Sequence, residues 1–253
     1  MPHAGPPPLP LLLADAPRAA SEAAGTLLSW PWLRTAPRGD GHAVLVLPGF
    51  LGGDAMTAPL RRFLRAQGFD ARGWGHGINW GRWDALEAIV LPLVRDLAQR
   101  TGGRVSVLGA SMSGLYAREA ARRHPELVRC VVTFASAVQP PERANHVWPA
   151  YEALTRQHES TMSAAPAVVP STSVFSRSDG LSDWRPCLLP AAACQENVGV
   201  FSSHLGMAVH PASLYLAADR LAQPPAGWRP FTPPPSLRAF FEVASPQVPQ
   251  KVW

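Results

Sequence analysis

Val105-Ser106-Val107-Leu108-Gly109-Ala110-Ser111-Met112-Ser113-Gly114-Leu115-Tyr116-Ala117-Arg118-Glu119 is the stretch on which the reading of the fold turns. It opens with alternating β-branched residues, turns through small ones, and continues as a helix with Leu115, Ala117 and the Ala120-Ala121 pair. A serine at the apex of a sharp strand-to-helix turn stands clear of the sheet, with its hydroxyl presented to substrate. Strand and helix nearly touch at such a turn, so the residues two before and two after the serine must be small. Gly109 and Ser113 fill those places, giving a G-x-S-x-S pattern, and Gly114 follows at once. The frame centred on Ser113 fails, because Ser111 and Leu115 would then occupy the small-residue positions. Ser111 is the candidate nucleophile. The pattern is degenerate on its own; its weight comes from the strand before it, the helix after it and its partners downstream.

Working outward on the amino-terminal side, Ala43-Val44-Leu45-Val46-Leu47 is a continuous apolar run of the kind buried on both faces of a parallel sheet. It ends in Pro48-Gly49-Phe50-Leu51-Gly52-Gly53, whose backbone N–H groups are available to a negative oxygen; a plain strand-to-helix connection is the alternative. Asp54 or Thr57 is the expected cap of a helix over Pro59–Gln67, which Gly68 stops. Asp70–Trp74 reads as a short strand. The following loop carries Trp74, His76 and Trp80 among glycines, either as a pocket wall or as buried structure. Asp84 opens a helix to about Arg100, apolar at Leu86, Ile89, Val90, Leu93, Val94 and Leu97.

On the carboxyl side, Val128–Ala135 reads as another buried strand. A helix around Trp148–His158, flanked by Pro140-Pro141, Pro166 and Pro170, reads as a small lid over about residues 137–170. Thr172–Ser176 and Glu196–Ser202 are the remaining strands, and Pro211–Leu221 the closing helix. Strands alternating with helices give an α/β class with a compact, mostly parallel sheet of about six strands flanked by helices. Residues 1–16 read as a proline-rich flexible lead, followed by an amphipathic helix from Arg18 to Leu28. Residues 17–240 form a single domain with the lid inside it, and 241–253 a tail.

The bulk composition narrows the function. The 253 residues are 47% hydrophobic, enough for one globular domain with a full core. Net charge is +5, and Lys251 is the lone lysine among 23 cations. The arginines are scattered rather than gathered into a stripe with aromatics, which argues against a nucleic-acid partner. Cys130, Cys187 and Cys194 make no even disulfide framework, although Cys187 and Cys194 are near enough in sequence to pair. No metal-ligand spacing occurs, and no cofactor is implied. The Leu9–Leu13 run lacks a preceding cation, is broken by proline and is too short for a signal peptide or a membrane span, so a cytoplasmic location is expected. Oligomeric state leaves no trace in the sequence.

In an open α/β sheet, ligands bind beyond the carboxyl ends of the strands. Three of these ends carry chemistry: Ser111, Asp179 in Ser176-Arg177-Ser178-Asp179-Gly180, and His204 in Ser202-Ser203-His204-Leu205-Gly206. The order Ser…Asp…His and the proton bookkeeping agree. His204 would take the Ser111 proton, and Asp179 would orient and stabilise the imidazolium. Asp183 is the alternative acid and His76 the alternative histidine in a pocket loop. His42, His124, His146, His158 and His210 read as surface or boundary residues.

These residues resemble an α/β-hydrolase family of bacterial esterase- and lipase-like proteins, from about Arg38 to Phe231. The carriers are Val44–Asp54, Gly73-Trp74-Gly75 with Asn79 and Gly81, Leu115–Glu119, Ser176–Gly180 and Ser203–Met207. The resemblance implies an oxyanion hole from the backbone N–H groups of Phe50 and Met112, and a Ser111–His204–Asp179 triad. It also implies a cleft lined by Phe50, Trp74, Trp80, Met112 and Trp148, with His76 beside it. The implied substrate is a small uncharged ester of short to medium acyl chain. Two departures stand out: Ser113 replaces the usual glycine, and Ala110 stands where a bulkier His or Trp is common. Thioesterase, lactonase, amidase or acyltransferase chemistry would use the same groups, and a non-catalytic binding protein on the fold is a further alternative.

Overall fold

The structure is a computed structural model that describes residues 5–138, 145–155, 163, 165–224 and 226–244. Strands β1 (Ala43–Leu47), β2 (Asp70–Gly73), β3 (Val105–Ala110), β4 (Val128–Phe134), β5 (Ser171–Phe175), β6 (Gln195–Val200) and β7 (Phe241–Ala244) form one sheet in the order β2-β1-β3-β4-β5-β6-β7. The first six pair in parallel. β7 adds an antiparallel edge on β6, with Val198 opposite Val243, where the sequence led us to expect only a tail. Of that expected tail, residues 245–253 lie outside the described residues.

The apolar runs behave as a sheet covered on both sides requires. In β1, Val44 and Val46 join one core with Leu60, Phe63 and Leu64 of α3 (Asp54–Ala66) and Leu214 and Leu216 of α7 (Pro211–Leu221). Leu45 and Leu47 point the other way, into a core with Leu91 and Val94 of α4 (Leu91–Thr101) and Leu115, Tyr116 and Ala120 of α5 (Ser113–Arg123). All five β1 residues are buried, the period-2 alternation serving two cores at once. The helix expected from Asp84 begins instead as a π-helical turn over Leu86–Val90. Asp54 caps nothing: Gly53 is the N-cap of α3, and the Asp54 carboxylate accepts the N–H groups of Trp74 and Gly75 at 3.0 and 2.9 Å.

The amino-terminal segment departs most from expectation. Residues 1–4 lie outside the described residues, but from Leu9 to Leu28 the chain is one helix, α1, which runs through Pro10 and Pro17 and leads into the short α2 (Trp30–Leu33). Pro10 sits in the first turn, where a missing N–H costs nothing. Pro17 leaves the carbonyl of Leu13 without its helical donor, and Leu13 is exposed, so water can serve it. Of the expected lid, α6 (Trp148–Thr155) is described; 139–144, 156–162 and 164 are not.

Strand β3 meets α5 with no room to spare. A Cβ on Gly109 would lie 2.5 Å from the Ser113 carbonyl oxygen and 2.7 Å from Gly114 Cα, both backbone atoms that cannot swing aside. Gly109→Ala is therefore expected to destabilise the fold by about 1–3 kcal/mol, as overpacking does. Denaturant unfolding of the two proteins measures this; an unchanged midpoint would mean that the strand-to-helix approach is looser than described.

Candidate active site

Strand order reverses about β1 and β3: the chain leaves β1 toward β2 on one side and returns as β3 on the other. A crevice opens at the carboxyl ends of such strands. The loop after β1 and the turn after β3 meet there. Ser111 holds φ +51°, a left-handed conformation that costs a non-glycine residue about 1–3 kcal/mol. Its N–H donates to the Phe134 carbonyl at 2.7 Å, its carbonyl accepts from Gly114 N–H at 3.0 Å, and Gly49 lies close to its Cβ. These contacts hold the strain in place.

The structure brings the sequence's three candidates together. His204 Nε2 lies 3.1 Å from Ser111 Oγ, and His204 Nδ1 lies 2.7 Å from Asp179 Oδ2. The other Asp179 oxygen accepts the N–H groups of Leu181 and Ser182, each at 2.8 Å, so the carboxylate is held at both ends. Asp183 is engaged elsewhere, with the backbone and guanidinium of Arg185. His76 is exposed and packs against Trp74. Burial draws the His204 imidazolium down, but the charge and hydrogen bond of Asp179, joined by the charge of Asp15, outweigh it. His204 therefore titrates above the ordinary histidine value.

Among the described residues, the N–H groups of Phe50 and Met112 find no hydrogen-bond acceptor, and both residues line the cleft beside Ser111. Their loop is fixed by a buried polar knot. Asn79 donates from Nδ2 to the Pro48 carbonyl at 2.9 Å and to Ser113 Oγ at 3.0 Å. Asn79 N–H donates to Gly52 O, and Leu51 N–H donates to Asn79 O. Ser113 Oγ itself donates to the Pro48 carbonyl. The residue standing where glycine is usual thus supplies a hydroxyl that ties the β3 turn to the β1 loop. Nothing in a residue pattern announces this, because the three partners are far apart in sequence.

The cleft encloses about 180 Å³. Phe50, Met112 and Trp148 line it, as expected, and so does Ala110. Trp74, His76 and Trp80 do not. Trp74 is buried, with its indole N–H on the Gly77 carbonyl, and Trp80 is half exposed. Trp83 and Tyr151 take the role expected of them. Tyr151 stacks at an angle on Trp148 and meets Phe50 edge-on. The sequence hid this because the loop carrying the tryptophans turns after Gly81, a left-handed glycine with Tyr151, Met112 and Phe50 crowded against it.

A second array of the same three residue types makes an instructive contrast. At the opposite end of the sheet, His42 Nδ1 lies 2.5 Å from Asp40 Oδ1 and His42 Nε2 lies 2.8 Å from Ser106 Oγ. Ser106 sits inside β3, fully buried, where the β3–β4 register shifts between Val105 and Val107. Burial pulls the His42 pKa down despite the Asp40 hydrogen bond. This array is a structural cross-link. Cys187 and Cys194 are both free thiols. Among the described residues, no cluster of His, Cys, Asp or Glu is placed to hold a metal, and no helix is long and apolar enough to cross a membrane.

No family model matches the sequence, and no curated protein matches it. Solved structures do. A pyrethroid hydrolase, PytH, superposes with a TM-score of 0.55 at 17% identity, covering 74% of this chain and 99% of its own. Bacillus licheniformis lipase BlEst2 in mature form gives 0.56 at 12% identity, over 75% and 95%. A putative aryl esterase from Burkholderia cenocepacia gives 0.51 at 14% identity, over 73% and 90%. Sheet order, strained turn and structural likeness agree: the chain has the α/β-hydrolase fold.

Proposed function

We propose that this protein is a serine hydrolase that cleaves uncharged carboxylic esters of short to medium acyl chain through an acyl-enzyme. One observation carries the reading: an imidazole bonded on one side to a carboxylate and on the other to a serine hydroxyl on a left-handed turn, at the floor of an apolar cleft. In this reading His204 Nε2 takes the proton of Ser111 as Oγ attacks the ester carbonyl. The oxygen, now negative, sits against the N–H groups of Phe50 and Met112. His204 returns the proton to the departing alcohol, leaving an ester on Ser111. Water, deprotonated by the same imidazole, then releases the acid and restores the serine. Asp179 keeps Nδ1 protonated and balances the imidazolium in both halves.

The lining supports an uncharged acyl group. Among the described residues it contains no Asp, Glu, Lys or Arg; besides Ser111 and His204 its polar side chains are Thr57, Asn145, Ser182, the Tyr151 hydroxyl and the Trp83 and Trp148 indoles. A charged acyl chain would lose its hydration there without a counter-charge.

Hydrolysis of p-nitrophenyl acetate, butyrate and octanoate, with the wild type beside Ser111→Ala, tests the reading. The substitution is expected to lower kcat by roughly 10⁴-fold or more with the fold intact. A wild type inert to all three esters and to a fluorophosphonate probe would sink it.

The pH profile gives an independent check. His204 works as a base only when neutral, so kcat/KM falls as the pH drops through its pKa. Because that pKa is raised in the fold, the acid limb is expected above the ordinary histidine value of about 6.5. A limb centred well below that value would contradict the assignment of His204.

A further inference from the structure

The amino-terminal helix lies against the two loops that carry Asp179 and His204; the Thr26 hydroxyl donates to the Val209 carbonyl, and its other polar contacts there are charged. Asp15 is 1% exposed, the lone buried residue of α1. Its Oδ2 accepts the N–H of His204 at 2.8 Å and of Gly180 at 3.1 Å, and its Oδ1 accepts the N–H of Leu205 at 3.0 Å. One carboxylate therefore joins the residue after Asp179 to His204 itself. Three and seven residues on, along the same helix face, Arg18 donates to the carbonyl and hydroxyl of Ser178, and Glu22 accepts from Ser203 N–H and from the hydroxyls of Ser202 and Ser203. The seat is tight. A Cβ on Gly180 would collide with the Leu11 carbonyl, and one on Gly206 with the Glu22 carboxylate.

Packing alone gives no reason for this carboxylate. Burying a charge is costly unless it is paired, and among the described residues Asp15 has no ion pair; its partners are three backbone N–H groups. An apolar side chain would join α1 to the domain at lower cost, but it would neither hold these N–H groups nor place a negative charge beside His204. Resting on the hydrolase reading above, we propose that Asp15 is a positioning residue of the site: it fixes the His204 loop against the Asp179 loop, and its charge stabilises the imidazolium formed when Ser111 gives up its proton.

Among the described residues, the charged and titratable groups that act on His204 are Asp179 from the loop after β5 and Asp15 from α1. Glu22 and Arg18 of α1 are bonded to the adjoining serines, and His210 stands at the head of α7, within the field of both. Asp179 and Asp15 act in the same direction on His204. Removing the Asp15 charge should lower the His204 pKa while loosening its backbone.

The experiment compares full-length wild type, Asp15→Asn and Asp15→Glu. It reads kcat and KM for p-nitrophenyl butyrate across pH, the NMR titration of His204, and the low-field Nδ1 proton between His204 and Asp179. Asp15→Asn is expected to lower kcat about tenfold with KM changed less than about threefold, and to move the acid limb and the His204 titration down by roughly 0.5–1 pH unit. Asp15→Glu keeps the charge but lengthens the arm. Its titration should stay near that of the wild type while kcat falls and the low-field proton shifts. A folded Asp15→Asn with kcat within twofold of wild type and an unmoved His204 titration overturns the proposal. Should Asp15→Asn not fold, an Asp15→Glu protein with wild-type kcat and low-field proton overturns it instead. A wild type that hydrolyses no ester defeats the hydrolase reading, and the two NMR readouts then still decide whether Asp15 sets the state of His204.

Discussion

The left-handed backbone of Ser111 is the constraint on which the rest of the site depends. A serine in that conformation stays there only if its surroundings leave no relaxed alternative. Three contacts remove the alternatives: the Ser111 N–H on Phe134 O, the Gly114 N–H on Ser111 O, and the close approach of Gly109 to the first turn of α5. The result brings Oγ to His204 and gives the Ser111 N–H a partner, while the next N–H, that of Met112, has no acceptor among the described residues and belongs to a residue that lines the cleft. The position of Ser113 follows from the same geometry. Being two residues past the apex, it is buried against the β1 loop, and a hydroxyl there finds Pro48 and Asn79.

The two Asp–His–Ser arrays differ in their setting. Their distances are similar, yet they lie at opposite ends of the same sheet. At the amino ends of β1 and β3 the serine is an interior strand residue, closed to solvent, and the histidine is held below its ordinary pKa. At the carboxyl ends the serine sits on a turn, the histidine is held above its ordinary pKa, and an apolar cleft opens over both. Side-chain distances alone would not tell one from the other; strand direction does, because a parallel sheet turns all its loops of one kind to one side.

Several polar contacts around the site are long-range in sequence. Asp15 reaches residues 180, 204 and 205, Asn79 reaches 48 and 113, and Tyr151 donates to the Gly81 carbonyl at 3.0 Å. The sheet core is indifferent to these particular pairs. They bind together segments that the sheet only brings near, and they explain glycines at 81, 180 and 206 as sites of close approach by another segment.

Much of this protein was legible in its residues taken in order. Five-residue apolar runs specify strands buried on both faces, the alternation of strand and helix specifies a parallel sheet, and the small residues around Ser111 specify the turn. The order Ser111, Asp179, His204 follows, because each stands just past a strand. These are local patterns whose physical cause acts within a few residues. What lay beyond them was decided by tertiary contact. Pro17 argues against a helix ahead of Arg18, yet the helix begins at Leu9, and its charged face docks on two distant loops. Trp83 and Tyr151 line the cleft, and Trp74 and Trp80 do not, because Gly81 redirects the chain. Phe241–Ala244 becomes a strand because β6 offers an open edge. In each case the stabilising partner is far along the chain, so composition and periodicity carry no record of it.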